Sequence, residues 1–242
     1  IDLVILREST EGLFYSAAVH GRAEVIGDAE VRDTLRITRT TTEKLHRFGF
    51  RLAEKRRARG RPGRITCVDK ANVFASMAFF RKIFDEIRPE FPTVEAGHNY
   101  VDAQALDLIR RPWDFDVLVM ENMFGDILSD LAGGLVGGMG MAACAEIGDA
   151  LGLFQPAHGT APDIMGQDRA NPLAAVLSGA LMLDYLAERT SVTAYSDAAH
   201  LVEAAVEAGF AAKRLRPAEF GGDMGTRAMT RELIALVAEA QP

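Results

Sequence analysis

Two carboxylates four residues apart, Asp126 and Asp130, have the type and spacing of a metal site. They lie in the stretch ENMFGDILSD, directly after the apolar run DFDVLVM. In a helix, residues four apart point the same way, and two like charges there repel each other unless a cation joins them. Oxygen ligands suit Mg²⁺ or Mn²⁺ better than zinc. The alternative is a pair of acids that only interact favourably with the helix dipole.

Two basic residues lie at other places where an apolar strand pattern ends. Arg7 opens the polar stretch RESTEGLFY, where an arginine can bind a carboxylate through two parallel hydrogen bonds. Lys70 lies in VDKANV, at a predicted strand-to-helix junction, where a lysine can act as a base. A surface salt bridge for Arg7 and a solvated ammonium for Lys70 are the ordinary alternatives.

Strand and helix patterns alternate along the first half of the chain, which predicts an α/β fold. Asp102, in NYVDAQ, begins one of the predicted helices. Because α/β proteins bind ligands at the carboxyl ends of their strands, we expect these charged residues at one edge of a sheet. Residues 29–59 have the spacing of a helix, and residues 16–28 suggest an arm or a hairpin. The predicted strands lie at residues 2–6, 64–68, 93–96, 114–120 and 150–154.

The second half of the chain contains a long loop and three helix patterns. The loop, from His158 to Pro172, has the sequence HGTAPDIMGQDRANP and can present backbone N–H groups to phosphates, although a simple connection is the ordinary interpretation. The glycine-rich stretch from Gly133 to Gly140 lacks the GxGxxG spacing, so it predicts a helix end with close packing and no Rossmann nucleotide site. The helices are predicted at residues 173–187, 198–211 and 228–240.

Composition limits the classes of function. The 242 residues carry a net charge of -7, which argues against nucleic acid or an anionic membrane as the main partner. The basic run 55–64 is the local exception and is interpreted as a solvated helix end. Two cysteines, Cys67 and Cys144, form no CxxC pair, which fits a cytoplasmic location. No apolar run approaches the length of a membrane span.

Five stretches in fixed order resemble one family: RESTEGLF, VDKANV, NYVDAQ, ENMFGDILSD and HGTAPDIMGQDRANP. The family is the β-decarboxylating dehydrogenases, which include isopropylmalate, isocitrate, homoisocitrate and tartrate or D-malate dehydrogenases. The resemblance implies an isopropylmalate dehydrogenase-like two-domain α/β/α fold with a mixed sheet, distinct from the Rossmann fold. Residues 1–137 would form the small domain, with the dimer contact and the metal site, and residues 138–242 would belong to the large, cofactor-binding domain.

The resemblance also implies a role for each residue. Arg7 would bind the carboxylate of a small hydroxy acid, and Lys70 would take the hydroxyl proton. The family is a homodimer, so Lys70 and Asp102 would enter the partner's site. The metal, Mg²⁺ or Mn²⁺, would be held by Asp102, Asp126 and Asp130. NAD would be bound by His158, Gly159, Thr160, Ala161, Asp163 and Asn171, with Asp163 on the adenine ribose and Asn171 at the adenine.

The sequence departs from the family pattern in two places. Seven residues after the arginine the family has a tyrosine that donates a proton, and this chain has Phe14, which cannot donate one. Tyr15 is the candidate replacement, with a water molecule or an impaired reaction as alternatives. The family's N-terminal segment, with two further substrate-binding arginines, is missing, so we expect the chain to be the C-terminal two thirds of a longer protein.

The function implied by the resemblance is an NAD- and metal-dependent oxidative decarboxylation of a substituted malate. VDKANV resembles the isopropylmalate branch and the STEG of residues 9–12 resembles the isocitrate and homoisocitrate branches, and 3-isopropylmalate is our first expectation. A non-catalytic regulatory subunit of the same fold is the alternative. A nucleic-acid-binding module, based on the basic run alone, is a third hypothesis.

Overall fold

The computed structural model describes residues 1–18 and 23–240, which form helices and strands in two compact units, Ile1–Ala132 and Gly133–Pro242. The strands are β1 (Val4–Arg7), β2 (Glu24–Ile26), β3 (Glu30–Arg32), β4 (Arg64–Asp69), β5 (Glu95–Tyr100), β6 (Val117–Met120), β7 (Ala143–Ile147) and β8 (Gly152–Pro156). The helices are α1 (Tyr15–Ala18), α2 (Arg39–Ala58), α3 (Ala75–Ile87), α4 (Val101–Arg110), α5 (Asn122–Leu135), α6 (Leu173–Thr190), α7 (Thr193–Ala211) and α8 (Thr226–Glu239).

A four-stranded parallel sheet organises the first unit, in the order β1-β6-β4-β5. The register pairs Arg7 with Met120, Val68 with Met120 and Asp69 with Tyr100. The carboxyl ends of all four strands therefore lie at one edge. This edge brings together the residues that follow the strands, as the sequence predicted.

Both faces of the central strands β4 and β6 are buried because parallel strands are covered by their crossover helices. On one face, Ile65 and Val119 pack with the aromatic rings of Phe50, Phe80 and Phe84 from α2 and α3. Alternate strand residues point to opposite faces. On the other face, Val68, Leu118 and Met120 are also fully buried. Strand β6, with the sequence VLVM, is a continuous apolar run for this reason.

The predicted helix from residue 29 begins too early. Residues 30–32 form β3, which pairs antiparallel with β2, and α2 starts only at Arg39. Gly27 adopts a φ of 53° and allows the tight turn between the two strands. Val31, which lies within the predicted helix, is 60% exposed on this two-stranded sheet. A hairpin is thus present at residues 24–32, later than the predicted residues 16–28, and residues 19–22 lie outside the described part of the chain.

The predicted helix that follows Lys70 also starts later than expected. Residues 70–74 form a turn in which the N–H groups of Val73 and Phe74 donate to the carbonyl of Lys70. Helix α3 begins at Ala75, and Val73 is exposed. The large apolar side chains of one face of α3 are buried: Met77, Phe80, Phe84 and Ile87.

Acidic residues lie close to the basic run of residues 55–64. The buried carboxylate of Asp116 accepts hydrogen bonds from Arg56 Nε at 2.5 Å and from the Gly63 N–H at 2.7 Å. Arg64 lies 3.1 Å from Glu95. These contacts fix the end of α2 to the amino ends of the strands, so the run contributes to the fold of the unit.

The second unit contains an antiparallel pair, β7 and β8, and the helices α6, α7 and α8. The strand predicted at residues 150–154 is found at residues 152–156, and β7 was not predicted. The three predicted helices are confirmed: α6 and α7 are longer than predicted, and α8 begins two residues earlier and ends one residue earlier. None of the helices in the described part of the chain is long and apolar enough to cross a membrane. The core of the unit consists of Leu173, Ala205, Val206, Leu215, Met229, Leu233 and Leu236.

Candidate active site

Arg7 is the last residue of β1 and reaches across to α5. Its Nη1 lies 2.5 Å from Oδ1 of Asp126, and its Nε donates to Asn122 Oδ1 at 3.0 Å. The Arg7 side chain is one-third exposed and that of Asp126 half exposed, so ligands can reach both. A carboxylate ligand would bind the guanidinium, and a cation would bind Asp126. The structure therefore places Arg7, which was predicted to bind an anion, in contact with Asp126, which was predicted to bind a cation.

Gly125 makes the contact between Arg7 and α5 possible. A Cβ atom at this position would lie 2.6 Å from both Cβ and Cγ of Arg7 and 3.0 Å from its Cα. These distances are too short for any side chain, so α5 approaches β1 only because residue 125 is a glycine. Gly125 is visible in the sequence as the glycine of FGD, but its role in this contact was not predicted.

Lys70 and Asp102 form the second pair at the same edge. Lys70 follows β4, Asp102 lies in the first turn of α4, and the ammonium donates a short hydrogen bond to Asp102 Oδ1. This bond lowers the pKa of the Asp102 carboxyl below its ordinary value. The Lys70 amine also lies 5.7 Å from the ring centroid of Tyr100. Neighbouring strands β4 and β5 thus place a candidate base beside a candidate metal ligand.

An ion pair between Asp69 and Arg81 holds the turn that carries Lys70. Asp69 is fully buried and accepts two hydrogen bonds from Arg81 of α3, at 2.7 and 2.8 Å. Its Oδ1 also accepts the N–H of Ala71 at 2.8 Å. The hydrogen bonds with Asp69 raise the pKa of Arg81 above its ordinary value. The residue before Lys70 is therefore fixed to both strand and helix, a role that the sequence did not reveal.

Three buried glutamates, Glu8, Glu11 and Glu121, shape the loop after β1. Their carboxylates accept backbone N–H groups that would otherwise have no partner. Glu121 caps α5 by accepting the N–H of Phe124 at 3.2 Å, and it also accepts the N–H of Leu13 at 3.0 Å. An acid directly before a predicted helix is the sequence signal for such a cap.

Phe14 and Tyr15 face different arginines. The guanidinium of Arg7 lies 5.6 Å from the centroid of Phe14, whereas Tyr15 packs under Arg36 at 4.7 Å. The ring next to Arg7 is thus the one without a hydroxyl. The role of Tyr15 as a proton donor stays a prediction.

Asp130 lies one turn beyond Asp126 on α5 and is exposed. Two carboxylates on one side of a helix fit a hard cation such as Mg²⁺. Within residues 1–18 and 23–240 of one chain, no three His, Cys, Asp or Glu side chains come together in a way that could hold a metal. The contribution of Asp102 from a second copy of the chain stays a prediction.

The predicted nucleotide loop follows β8 and is exposed. In the described part of the chain, the backbone N–H groups of residues 158–161 donate to no backbone carbonyl, so they are available to phosphates. Ala161 has a φ of 41° and precedes a short 3₁₀ turn, Pro162–Ile164, that presents Asp163. Arg169 donates to Gln167 at 3.5 Å. These features fit a nucleotide, and the roles of His158, Gly159, Thr160, Ala161, Asp163 and Asn171 stay predictions.

Comparisons with known proteins agree with this geometry. Residues 1–237 match the family described as isocitrate/isopropylmalate dehydrogenase. The 3-isopropylmalate/3-methylmalate dehydrogenase of Methanocaldococcus jannaschii is 42% identical over 240 residues, which are 99% of this chain and 68% of that protein. The 3-isopropylmalate dehydrogenase of Carboxydothermus hydrogenoformans is 46% identical over 185 residues, which are 76% of this chain and 48% of that protein.

A solved structure of an isocitrate dehydrogenase has a similar fold. The crystal structure of isocitrate dehydrogenase from Methylococcus capsulatus matches with a TM-score of 0.83 and 37% identity, over 97% of this chain and 67% of that one. The chain belongs to the isocitrate/isopropylmalate dehydrogenase family. It spans between about half and two thirds of the length of the curated relatives it matches. The predicted family and the predicted fold class are confirmed.

Proposed function

We propose that the chain is the catalytic part of an NAD- and divalent-metal-dependent enzyme that oxidatively decarboxylates a substituted malate. The first candidate substrate is 3-isopropylmalate, which the names of the two relatives include. The observation that carries the proposal is the pairing at the sheet edge of Arg7 with Asp126 and of Lys70 with Asp102. Each group is a predicted ligand or catalytic group, and each is reachable from solvent.

In this proposal, the residues of the chain divide the reaction between them. Arg7 exchanges its contact with Asp126 for the substrate carboxylate, which a guanidinium binds through two parallel hydrogen bonds. Lys70 of a second copy takes the proton of the 2-hydroxyl while hydride leaves C2. The β-carboxylate then leaves as CO₂, and the carbon that carried it receives a proton. We assign that proton to Tyr15, with a water molecule beside Phe14 as the alternative.

The proposed reaction also needs two bound groups. Asp126 and Asp130, with Asp102 of a second copy in a homodimer, would hold Mg²⁺ or Mn²⁺. Residues 158–163 and Asn171 would hold NAD. When bound, the cation would supply positive charge that stabilises the ionised hydroxyl and the electron pair left by the carboxylate, and NAD would supply the hydride acceptor.

A non-catalytic subunit of the same fold is the second candidate. It is favoured by Phe14, because this ring stands next to Arg7 where the family has its proton donor. It is disfavoured by the presence together of Arg7, Lys70 and the three aspartates, since a subunit without catalysis has no need of metal ligands.

The test is a set of steady-state rates for the intact protein with NAD and Mn²⁺. The substrates are 3-isopropylmalate, isocitrate, homoisocitrate, D-malate and tartrate. We expect the highest kcat/KM with 3-isopropylmalate. Preference for another of these acids would change the substrate but keep the enzyme class. Turnover of none, with NAD and Mn²⁺ both bound, would favour the non-catalytic subunit.

A further inference from the structure

Glu219 makes two contacts that link distant parts of the second unit. It lies in the 3₁₀ turn Ala218–Phe220, between α7 and α8. Its Oε1 accepts the backbone N–H of Gly140 at 3.0 Å, and its Oε2 accepts the side-chain amide of Asn171 at 3.0 Å. One carboxylate thus joins the glycine-rich stretch after α5 to the last residues of the predicted nucleotide loop.

The glycine-rich stretch is shaped to receive this turn. A Cβ atom on Gly138 or Gly140 would lie 2.1 or 2.2 Å from the carboxylate oxygens of Glu219. A Cβ on Gly137 would lie 2.4 Å from the ring of Phe220. Three glycines therefore leave space for two consecutive side chains. This explains a motif that the sequence assigned to close packing without a partner.

Asn171 is held at both ends of its side-chain amide. Its Oδ1 accepts the N–H of Leu173 at 3.2 Å, at the start of α6, and its Nδ2 donates to Glu219. Nδ2 also lies 3.5 Å from the sulfur of Met141. The direction of the amide is set by these contacts, because only Nδ2 can donate to a carboxylate and only Oδ1 can accept an N–H.

We propose that Glu219 is a positioning residue for nucleotide binding. By fixing Asn171 against the glycine-rich stretch, it holds the end of the loop of residues 158–172 in the conformation that binds the adenosine half of the cofactor. This inference rests on the proposed use of NAD. Glu219 acts through Asn171 and touches no reacting atom.

The test removes the two acceptors of Glu219 stepwise and leaves Asn171 unchanged. Glu219→Ala deletes both acceptor oxygens, whereas Glu219→Gln keeps the length of the side chain and one acceptor oxygen in place of two. We expect the Kd of ADP-ribose, measured by titration calorimetry on the intact protein, to rise roughly fivefold to tenfold in Glu219→Ala. In Glu219→Gln it should rise by a smaller factor, roughly twofold to fivefold.

Asp223→Asn is the matched control, because it removes a carboxylate from the same surface segment. Asp223 pairs with Arg216 at 2.9 Å and lies outside the Glu219 contact. We expect an unchanged Kd for ADP-ribose in this variant. Circular dichroism and thermal unfolding of every variant separate loss of binding from loss of folding. A rise in KM for NAD with a nearly constant kcat would agree with a role in positioning the cofactor.

The outcomes distinguish this inference from the proposed function. If the wild-type protein binds neither ADP-ribose nor NAD, the proposed function fails. If it binds them, and Glu219→Ala and Glu219→Gln bind as tightly as the wild-type protein, the role of Glu219 is overturned while the proposed function stands. An equal rise in Kd in Asp223→Asn would also overturn it, since removal of any carboxylate from this segment would then weaken binding.

Discussion

The two candidate regions of this chain are positioned in different ways. At the sheet edge, Arg7 ends a strand and Lys70 directly follows one, and the parallel register fixes where each emerges. The nucleotide loop is instead held by contacts from far along the chain. The Asp168 carbonyl accepts the N–H of Thr226 at 3.1 Å, and its carboxylate accepts the N–H of Arg227 at 3.0 Å. A site built on strands is specified locally, whereas a site built on a loop depends on distant residues.

The largest predicted effect concerns the loop, where one carboxylate should decide the choice of cofactor. The Asp163 carboxylate can accept both hydroxyls of an adenine ribose but would repel the 2'-phosphate of NADP. We expect the intact enzyme to prefer NAD by at least roughly a hundredfold in kcat/KM, about 2.7 kcal/mol. Asp163→Lys should reduce this preference, mainly by weakening NAD. Steady-state rates with both cofactors measure it.

Arg169→Ala serves as the control for Asp163, because Arg169 is the nearby cation that could soften the repulsion. Its contact with Gln167 gives it a separate partner, so we expect the preference for NAD to change little. Comparable rates of the wild-type enzyme with NADP and NAD would show that Asp163 does not have this role.

The second prediction concerns the pH dependence of the stability of the first unit. His46 is fully buried between Phe80 and Phe84, its Nε2 lies 3.1 Å from the Phe80 carbonyl, and burial lowers its pKa to about 4. The unfolded chain has a pKa near the ordinary 6.5, so it binds more protons between these values. His46 therefore lowers stability as pH falls from about 6.5 towards 4. We expect a loss of about 2 kcal/mol between pH 7 and pH 5.

Trp113 is the single tryptophan of the chain and belongs to the first unit, so its fluorescence reports the unfolding of that unit. Urea unfolding at pH 7 and pH 5 should show a smaller pH dependence in His46→Leu than in the wild-type protein. His200 is an exposed histidine of the second unit. His200→Asn should therefore leave the pH dependence of the unfolding reported by Trp113 unchanged. Equal pH dependence in His46→Leu and wild type would contradict the role of His46.

Sequence patterns predicted what is local in this fold. Lys70 and Asp102 each lie beside a strand end, so reading the strands was sufficient to place them at one edge. The patterns failed where a distant contact decides the structure. The buried pair of Asp69 with Arg81 spans 12 residues, and Glu219 contacts Asn171 across 48 residues. No periodicity carries such information, because an acid that binds a remote partner has the same local pattern as a solvated one.

The third prediction tests the acidic pair at the sheet edge. Asp126→Asn removes a negative charge from the proposed metal site and should weaken Mn²⁺ binding at least about tenfold, with a similar loss in kcat/KM. Titration calorimetry with Mn²⁺ measures the affinity. Asp28→Asn makes the same chemical change in the exposed turn between β2 and β3 and should have no effect. An unaltered Mn²⁺ titration in Asp126→Asn would remove Asp126 from the metal site.

The smallest predicted effect compares two helix glycines, one at the sheet edge and one in the second unit. In Gly125→Ala, the new methyl group would collide with Arg7, and such overpacking costs about 1 to 3 kcal/mol. The better helix propensity of alanine offsets up to about 1 kcal/mol of this, so we expect a net loss of about 1 kcal/mol. Gly179 lies within α6, and a Cβ there would meet nothing within 4 Å. Gly179→Ala should therefore stabilise the protein by a few tenths of a kcal/mol to about 1 kcal/mol.

Chemical denaturation followed by Trp113 fluorescence and by circular dichroism measures the free energy of unfolding of each variant. The Gly125→Ala variant should also displace Arg7 and raise KM for the acid substrate, since the guanidinium is held against α5 by this close approach. Gly179→Ala should leave KM unchanged. If Gly125→Ala instead gained stability like Gly179→Ala and kept its KM, α5 and β1 would have room to separate. The sheet edge would then be as adaptable as the loop, and the contrast between a rigid strand-built site and a loop held from a distance would be wrong.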